Sequence, residues 1–408
     1  MRDLSLVEPS VSFASYPFSA IQRAFFTYAY HHQRSVAAWR LPHQTQQHII
    51  ADLSGSGQSP SLPLELLPAG FMAQPFQTSE KAVFIRADLH YTTGNKKASV
   101  RKESDRMAKK ALRSIKDQLT SSAPEPSPYA EASTSPGGDT SRAAFVDTVA
   151  EAVRAIEEGQ FCKVVPSRRK GLPLPSDFDL TVAFQQLCEA YPAAFVSVFS
   201  VPGVGTWLGA SPEILVSTYQ RGGRSMFRTM ALAGTQAARG QNALKNASWR
   251  QKEIEEQALV SRYIINCFKQ IRLREFEENG PKTVAAGNLL HLQTDFTVDT
   301  EATNFPDLGS TMLSLLHPTS AVCGMPKEAA LAFLRKYESH HRSFFSGYLG
   351  PVNVTEETHL FVNLRCMQLL RRQALLYAGA GVTADSEPNK EWKETEIKMD
   401  TLRRIILP

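Results

Sequence analysis

Residues 360–382 read LFVNLRCMQLLRRQALLYAGAGV, and this stretch decides the fold class. Its apolar runs on either side of Arg371 and Arg372 predict two antiparallel strands. The segment that follows, residues 389–406, has the apolar spacing of a helix. This combination indicates an α+β protein with antiparallel sheet.

The rest of the chain has the same mixture of elements. Apolar spacing predicts helices at residues 99–119, 142–160, 179–192, 247–271 and 327–341. Short apolar runs bounded by turn residues predict strands at 35–41, 82–91, 193–203 and 205–219. Residues 120–142 are rich in Ser, Pro and Gly and have almost nothing to bury, so we expect a flexible surface loop. We therefore divide the chain into residues 1–119, the loop 120–142 and a region 143–408.

Composition excludes several classes of protein. The chain has 408 residues, of which 42% are hydrophobic and 21% charged, with a net charge of +5. Basic residues cluster only between Lys96 and Lys116, which argues against a nucleic-acid-binding protein. No apolar run approaches the roughly 18 residues of a membrane span, and the N-terminus lacks the apolar core of a signal peptide. We expect a soluble, cytoplasmic protein that does not associate with membranes.

The cysteines are odd in number, widely spaced and without a CxxC pair. This pattern predicts free thiols rather than a disulfide framework or a zinc site. The five residues are Cys162, Cys188, Cys267, Cys323 and Cys366.

Lys163 lies at the head of a short apolar strand in the stretch GQFCKVVPSRR, residues 159–169. A lysine in this position is most often a strand-end charge in water, because buried lysines are rare. The alternative is a lysine that the protein holds inside for chemistry. The neighbouring residues do not decide between these two interpretations.

Eight segments together resemble the chorismate-utilising enzymes, the family of isochorismate, salicylate, anthranilate and aminodeoxychorismate synthases. They follow the family's order: KVVPSR (163–168), LGASPEIL (208–215), ALAGTQAARG (231–240), KEIEEQALV (252–260), LLHLQT (289–294), LHPTSAVCGMPKEAA (316–330), NLRCM (363–367) and YAGAGVTADSEPNKEWKETEIKM (377–399). Eight motifs in one order are very specific, whereas residues 1–119 match only loosely. The resemblance implies one large unit of two packed, mainly antiparallel sheets with helices outside, to which the N-terminal residues also belong.

Two positions in these motifs indicate which reaction the resemblance implies. Ammonia-using anthranilate synthases carry glutamine where Lys163 stands, and lysine is typical of members that add water at C2 of chorismate. The motif around Ala321 is similar to that of isochorismate synthases. The implied activity is an isomerase that converts chorismate into isochorismate with Mg²⁺ for menaquinone biosynthesis, as a monomer without a glutamine amidotransferase subunit. A salicylate synthase, supply of isochorismate to a siderophore, and a non-catalytic binding relative are the alternatives.

Water addition at C2 with loss of the C4 hydroxyl requires a base and an acid on opposite faces of the ring. The resemblance implies Lys163 as the base and Glu213 as the acid. A lysine in water has a pKa of about 10.4, so burial near a divalent cation must lower that value. Glu213 precedes the apolar residues ILV, and an apolar setting raises the pKa of a carboxyl so that it can donate a proton at neutral pH. A turn glutamate in solvent is the alternative.

The metal candidates are glutamates on two predicted helices. Glu256 and Glu394 each follow another glutamate by three residues, Glu253 and Glu391, which places each pair on one helical face. Magnesium prefers oxygen ligands and keeps several waters. The resemblance implies Glu256 and Glu394 as ligands, and Glu253 and Glu391 as residues that orient ligands or waters. Without the resemblance, such helices are usually solvated faces.

The remaining candidates would bind chorismate. Arg365 lies in a predicted strand, where an unpaired guanidinium is costly and a substrate carboxylate would pair with it. Glycines allow backbone N–H groups to approach carboxylate oxygens closely, although they also occur as turn residues. A structural role is the alternative for His291. The predicted substrate contacts are Gly234, Thr235, His291, Ala321, Val322, Phe345, Arg365, Gly379 and Lys398.

Two residues depart from the family's pattern. Gln257 stands where the family usually has histidine after the metal glutamate, and Pro166 stands where leucine is common. Proline has no N–H, so the strand that carries Lys163 must end there or lie at an edge. These departures concern the turnover rate and the substrate loop rather than the reaction class.

Overall fold

The computed structural model describes residues 12–55, 57, 62–95, 97–101, 105–120, 128–132, 137–238, 243–286 and 289–407. In this part of the chain the helices are α1 (Phe18–His31), α2 (Asp105–Thr120), α3 (Arg142–Glu157), α4 (Leu180–Ala190), α5 (Gln251–Gln270), α6 (Leu308–Leu316), α7 (Lys327–Tyr337) and α8 (Pro388–Ile406). One turn of 3-10 helix covers Leu64–Leu66.

The strands of the N-terminal half are β1 (Ser35–Arg40), β2 (Gln47–Asp52), β3 (Gly70–Gln74), β4 (Val83–Arg86), β5 (Leu89–Thr92), β6 (Ser99–Val100), β7 (Lys163–Val164), β8 (Ser167–Pro173), β9 (Phe195–Val201) and β10 (Gly205–Ser211). The C-terminal half contributes β11 (Ile214–Arg221), β12 (Arg224–Ala237), β13 (Glu277–Ala286), β14 (Leu289–Asp299), β15 (Gly324–Met325), β16 (Tyr348–Val352), β17 (Thr358–Val362), β18 (Cys366–Leu369) and β19 (Gln373–Gly379).

Two large sheets account for all of these strands except β7 and β15. Within the described residues, sheet I has the order β6-β5-β2-β1-β9-β10-β18-β19-β8, and sheet II the order β13-β14-β12-β11-β17-β16-β3-β4. Strands β7 and β15 form a small antiparallel pair of their own. Every strand pair is antiparallel, so the predicted α+β class with two mainly antiparallel sheets is confirmed.

The two sheets pack face to face through large aromatic side chains. Phe195 of sheet I stacks on Phe361 of sheet II with 4.1 Å between ring centroids. Trp39 of sheet I contacts Phe71 of sheet II at 5.7 Å. Such rings bury a large apolar area and hold the sheets in one relative position.

Helices cover the outer face of each sheet because each helix has one apolar side. Helices α1, α2, α4 and α8 share one apolar cluster with sheet I, and α3, α5, α6 and α7 share another with sheet II. Helix α3 shows how the local sequence forms such a helix. Its buried Phe145, Val149 and Ala152 recur at helical spacing, and the Ser141 hydroxyl accepts a hydrogen bond from Ala144 N at its start.

Four sequence-based predictions are wrong in detail. Residues 360–382 form three strands rather than two, because the chain leaves sheet II after β17 and enters sheet I at β18. Residues 82–91, predicted as one strand, likewise divide into β4 in sheet II and β5 in sheet I. Residues 205–219, also predicted as one strand, divide into β10 in sheet I and β11 in sheet II. The helix predicted from residue 99 begins at Asp105, since residues 99–100 pair with β5.

The N-terminal strands are part of the same unit as the C-terminal ones. Strand β1 lies between β2 and β9, and β3 lies between β4 and β16. The described residues of the predicted loop 120–142 contact this unit: Ala130 N donates to Ser200 Oγ at 3.0 Å, and Tyr129 Oη donates to Leu370 O at 3.0 Å. The division at 119 and 142 itself stays a prediction.

No helix in the described ranges is long and apolar enough to cross a membrane. All five cysteines are free, and Cys162 is the exposed one.

Candidate active site

A cavity opens between the two sheets and is closed by helices α5 and α8. Its wall is formed by β12, β14, β19, the two helices, and connections around residues 165, 212–213, 321–322, 342–346, 364–365 and 381. The lining residues are Val165, Pro212, Glu213, Leu232, Ala233, Gly234, Thr235, Glu256, His291, Ala321, Val322, Arg342, Phe345, Ser346, Leu364, Arg365, Tyr377, Ala378, Gly379, Gly381, Glu394 and Lys398.

Two strand crossovers meet at this cavity, and each carries a candidate residue. The chain passes from sheet I to sheet II at Glu213 and back from sheet II to sheet I at Arg365. The crossovers are hydrogen-bonded to each other, since Val362 N donates to Glu213 O and Ala210 N donates to Arg365 O, both at 3.0 Å. Arg365 has a φ of +47°, the left-handed conformation that this tight passage requires.

Lys163 is fully buried, so the solvated strand-end interpretation is wrong. Strand β7 pairs with β15 on one side, and Val164 N donates to Val382 O on the other. The lysine Nζ donates to Glu256 Oε1 at 2.9 Å. A buried ammonium of this kind requires a charged partner, and Glu256 supplies it.

Glu213 is also buried, and no basic side chain in the described part of the chain is hydrogen-bonded to its carboxyl. Burial raises the pKa of its carboxyl to about 8, although the charges of Lys163, Arg365 and Lys398 oppose the shift. At neutral pH the side chain is therefore mainly protonated. The raised pKa that the apolar setting predicted is present in the structure.

The other glutamates form an acidic group with lysine partners. Burial would raise the pKa of Glu256, but the charges of Lys163, Lys398 and Lys252 bring it below its usual value. Burial and the neighbouring charge of Glu394 raise the pKa of Glu391. Lys252 of α5 forms a salt bridge with Glu391 of α8 at 2.8 Å. Lys398 forms a salt bridge with Glu394, one turn earlier in α8, at 2.6 Å.

Two of the four glutamates, Glu256 and Glu394, face the cavity. Glu391 is bound by Lys252, and Glu253 accepts from Arg250 N at 2.9 Å in the cap of α5. No group of three or more His, Cys, Asp or Glu side chains within the described ranges is arranged to hold a metal ion. Two carboxylate oxygens on a cavity wall nevertheless suit Mg²⁺, which takes few protein ligands and completes its shell with waters and substrate oxygens.

Arg365, His291 and Lys398 present polar groups to the cavity. Burial lowers the pKa of Arg365 to about 10, so the guanidinium stays charged, and no salt bridge to it is found among the described residues. His291 Nδ1 donates to Gly234 O at 2.8 Å, which leaves Nε2 unprotonated and with no hydrogen-bond partner among the residues that the structure describes. Burial and the Arg365 charge lower the pKa of His291 to about 3, so the ring is neutral.

Gly381 lies directly against the Lys163–Glu256 pair, and its lack of a side chain leaves room for the two side chains. A Cβ at this position would lie 2.7 Å from Glu256 Oε1 and 3.4 Å from Lys163 Cε. Gly379 O accepts from Lys398 Nζ at 2.9 Å, which fixes the lysine against the end of β19. Gly234 has a φ of +67° and lies against Glu253 and Trp249.

The structure brings most of the predicted residues to one place. All nine predicted substrate contacts line the cavity, together with Glu213, Glu256 and Glu394. Sequence reasoning missed Arg342, which lines the cavity as a buried arginine. The i,i+4 spacing of Glu338 and Arg342 is the signal that could have identified it. The roles assigned to these residues stay predictions.

The two departures from the family's pattern have local explanations. Gln257 is buried and its Nε2 donates to Thr294 Oγ1 at 2.9 Å and to Ala231 O at 3.2 Å, so it fastens α5 to sheet II. Pro166 lies between the end of β7 and the start of β8, as its missing N–H predicted. Its carbonyl accepts from Ala380 N at 3.1 Å.

The chain is similar in sequence to two proteins that are named as isochorismate synthases. Isochorismate synthase EntC of Escherichia coli (strain K12) is 27% identical over 266 residues, which is 64% of this chain and 66% of that protein. The salicylate biosynthesis isochorismate synthase of Pseudomonas aeruginosa is 32% identical over 272 residues, which is 63% of this chain and 53% of that protein. The matches thus span less than two thirds of either relative.

Solved structures share the fold over most of the chain. MenF, the menaquinone-specific isochorismate synthase from Escherichia coli, has a TM-score of 0.75 and is 19% identical in sequence. The match covers 98% of this chain and 94% of the MenF chain. Anthranilate synthase component I from Streptococcus pneumoniae has a TM-score of 0.61 and 17% identity, covering 90% and 92%. The sequence profile described as "Chorismate binding enzyme" matches residues 65–407. Because that match covers most of the chain, the protein belongs to the chorismate-binding enzyme family.

Proposed function

We propose that this protein is an isochorismate synthase, an isomerase that converts chorismate into isochorismate. Membership of the chorismate-binding family and the activities named for its relatives support this proposal. The observation that carries it is that a basic side chain and an acidic side chain, Lys163 and Glu213, are both buried at this cavity. Lys163 is a buried amine beside the cavity, and Glu213 is a carboxyl on its wall that is mainly protonated at neutral pH.

The reaction exchanges one hydroxyl for another. Lys163, as the free amine, takes a proton from a water molecule whose oxygen forms a bond to C2. Both ring double bonds shift by one position, and the bond from C4 to its hydroxyl breaks. Glu213 gives its proton to that oxygen, which leaves as water. One proton is taken up and one is given, so the protein returns to its starting state after a proton passes from Lys163 back to Glu213 through solvent.

We further propose that Glu256 and Glu394 hold Mg²⁺. When bound, the cation would neutralise the ring carboxylate and absorb the charge that develops on it. In the described structure each of these glutamates is paired with a lysine, Lys163 and Lys398. If Glu256 holds the cation, Lys163 loses its hydrogen-bonded partner.

The remaining polar groups would position chorismate. The charged guanidinium of Arg365 suits the enolpyruvyl carboxylate, with Lys398 as a second cation on the same cavity. The unprotonated Nε2 of His291 is an acceptor for a substrate hydroxyl. Val322 and Phe345 supply apolar walls for the ring.

Incubation with chorismate and Mg²⁺, followed by chromatography and NMR of the product, tests the proposal. We expect isochorismate at equilibrium with chorismate. The name of the Pseudomonas aeruginosa relative keeps salicylate formation as a second candidate. Fluorescent salicylate together with one equivalent of pyruvate would identify a salicylate synthase instead, and unchanged chorismate would reject both.

The use of the product stays a prediction. Menaquinone biosynthesis is the expected pathway, and siderophore assembly is the alternative. Deletion of the gene and supplementation with either menaquinone or a siderophore would distinguish them by which addition restores growth.

A further inference from the structure

Arg342 closes the cavity wall beside the strand that carries Lys163. It is 3% exposed and lies five residues after the end of α7. Its guanidinium donates to two backbone carbonyls: Nη2 to Val165 O at 2.6 Å, and Nη1 to Val322 O at 2.8 Å. These two carbonyls belong to segments that are far apart in the sequence and adjacent in the cavity wall.

The Val165 peptide is held on both sides. Its N–H donates to Cys323 O at 2.9 Å, and its carbonyl accepts from Arg342. Val165 is two residues after Lys163, and Val322 precedes Cys323. The distance between the Lys163 strand and the apolar wall at Val322 is therefore set by these hydrogen bonds.

Glu338 adds hydrogen bonds to Arg342 and to the residue that follows Pro166. Its carboxylate accepts from Arg342 Nε at 2.8 Å, from Ser167 N at 2.7 Å and from Ser167 Oγ at 2.9 Å. Because Pro166 has no N–H to offer, Ser167 N is the next backbone donor after Val165. The Arg342–Glu338 pair thus fixes the chain on both sides of Pro166, and the guanidinium also lies 4.3 Å from the Phe76 ring centroid.

A buried ion pair of this kind contributes little to the free energy of unfolding, since apolar residues of similar volume often stabilise a protein equally well. Its geometry is specific, because a guanidinium donates along fixed directions. We propose that Arg342, supported by Glu338, is a positioning residue that sets where Lys163 stands relative to the substrate ring. This inference rests on the proposed function. Reacting atoms must lie about 3–3.5 Å apart, so a small displacement of the base reduces turnover more than binding.

The variant Arg342→Lys tests the proposal, with Arg40→Lys as its matched control. Arg40 is also 3% exposed and donates to the carbonyls of Leu41, Tyr191 and Pro192, but it does not line the cavity. A misplaced base costs up to about 10²-fold. We expect kcat of Arg342→Lys to fall at least tenfold with the KM for chorismate within about threefold, while Arg40→Lys lowers Tm and leaves kcat unchanged.

A second variant removes both charges of the pair. Glu338→Gln combined with Arg342→Met leaves no unpaired buried ion, so it should fold, and Tm and circular dichroism check this. We expect the same loss of kcat and an unchanged Kd for chorismate by calorimetry. A kcat within about threefold of wild type in either folded variant would overturn the positioning role. A wild-type protein that makes no isochorismate would overturn the proposed function instead, so the two failures are distinguishable.

Discussion

The Nζ atom of Lys163 lies 2.9 Å from Oε1 of Glu256, and the lysine is fully buried. This contact joins the proposed base to a proposed metal ligand, although the two residues are 93 positions apart in the sequence. The carboxylate stabilises the ammonium, and the ammonium lowers the pKa of the carboxyl. The state of each residue therefore depends on the other, and five experiments follow from the surrounding geometry.

Lys163→Met removes the amine and retains most of the buried volume. We expect no measurable isochorismate formation and near-normal binding of chorismate, measured by calorimetry. Because Glu256 loses its hydrogen-bonded partner, the affinity for Mn²⁺, measured by electron paramagnetic resonance, should rise. Lys170→Met, at a half-exposed lysine on β8, is the control and should leave activity unchanged. Turnover of Lys163→Met within a few-fold of wild type would exclude Lys163 as the base.

Glu213→Gln keeps the shape of the side chain and loses the transferable proton. General acid catalysis contributes about 10²–10⁴-fold, so we expect that loss in kcat with little change in KM for chorismate. The reverse reaction should be reduced equally. A variant with normal kcat and a much higher KM would make Glu213 a substrate-positioning residue.

The pH dependence of the wild-type protein follows from the same residue. Its proton donor is the protonated carboxyl, so kcat should fall as pH rises through about 8. Stability should change in the same direction, because the folded protein holds a proton that the unfolded chain releases near 4.5. The stabilisation is complete below that value and is lost as pH rises to about 8. Thermal melts of Glu213→Gln should show a smaller decrease in Tm over this range.

Removal of divalent cations with EDTA should abolish activity, and Mg²⁺ should restore it. Glu256→Gln and Glu394→Gln should each raise the Mg²⁺ concentration for half-maximal activity at least tenfold, since each loses a charged oxygen ligand. Glu255→Gln is the control, because Glu255 is exposed on the same helix and does not line the cavity. Full activity in the presence of chelator would contradict the metal proposal.

Gly381→Ala places a methyl group 2.7 Å from Glu256 Oε1. The φ of Gly381 is not in the left-handed region, so the cost is steric and falls on the Lys163–Glu256 pair rather than on the backbone. We expect kcat to decrease while Tm changes by only a few degrees. Gly138→Ala has open space around its Cβ and should behave as wild type. Normal kcat in Gly381→Ala would show that the carboxylate need not stay where the structure has it.

Local sequence patterns were sufficient for the elements that depend on neighbouring residues. The apolar spacing of residues 142–160 predicted α3, and the missing N–H of Pro166 predicted the end of β7. The same reasoning failed at residues 360–382, 205–219 and 82–91. A strand that passes from one sheet to the other keeps its apolar pattern, since both sheets bury side chains in the same core.

The sequence by itself determined which residue types were available: the two lysines, the five glutamates, the arginine and the glycines in their motifs. Only the tertiary structure decided that Lys163 is buried, that Glu213 and Arg365 meet on paired crossovers, and that Arg342 holds the wall beside them. Burial and charge set the state of an ionisable group. Both depend on residues that are close in space and distant in the sequence, so the pattern around Lys163 could name a base but not place it beside Glu256.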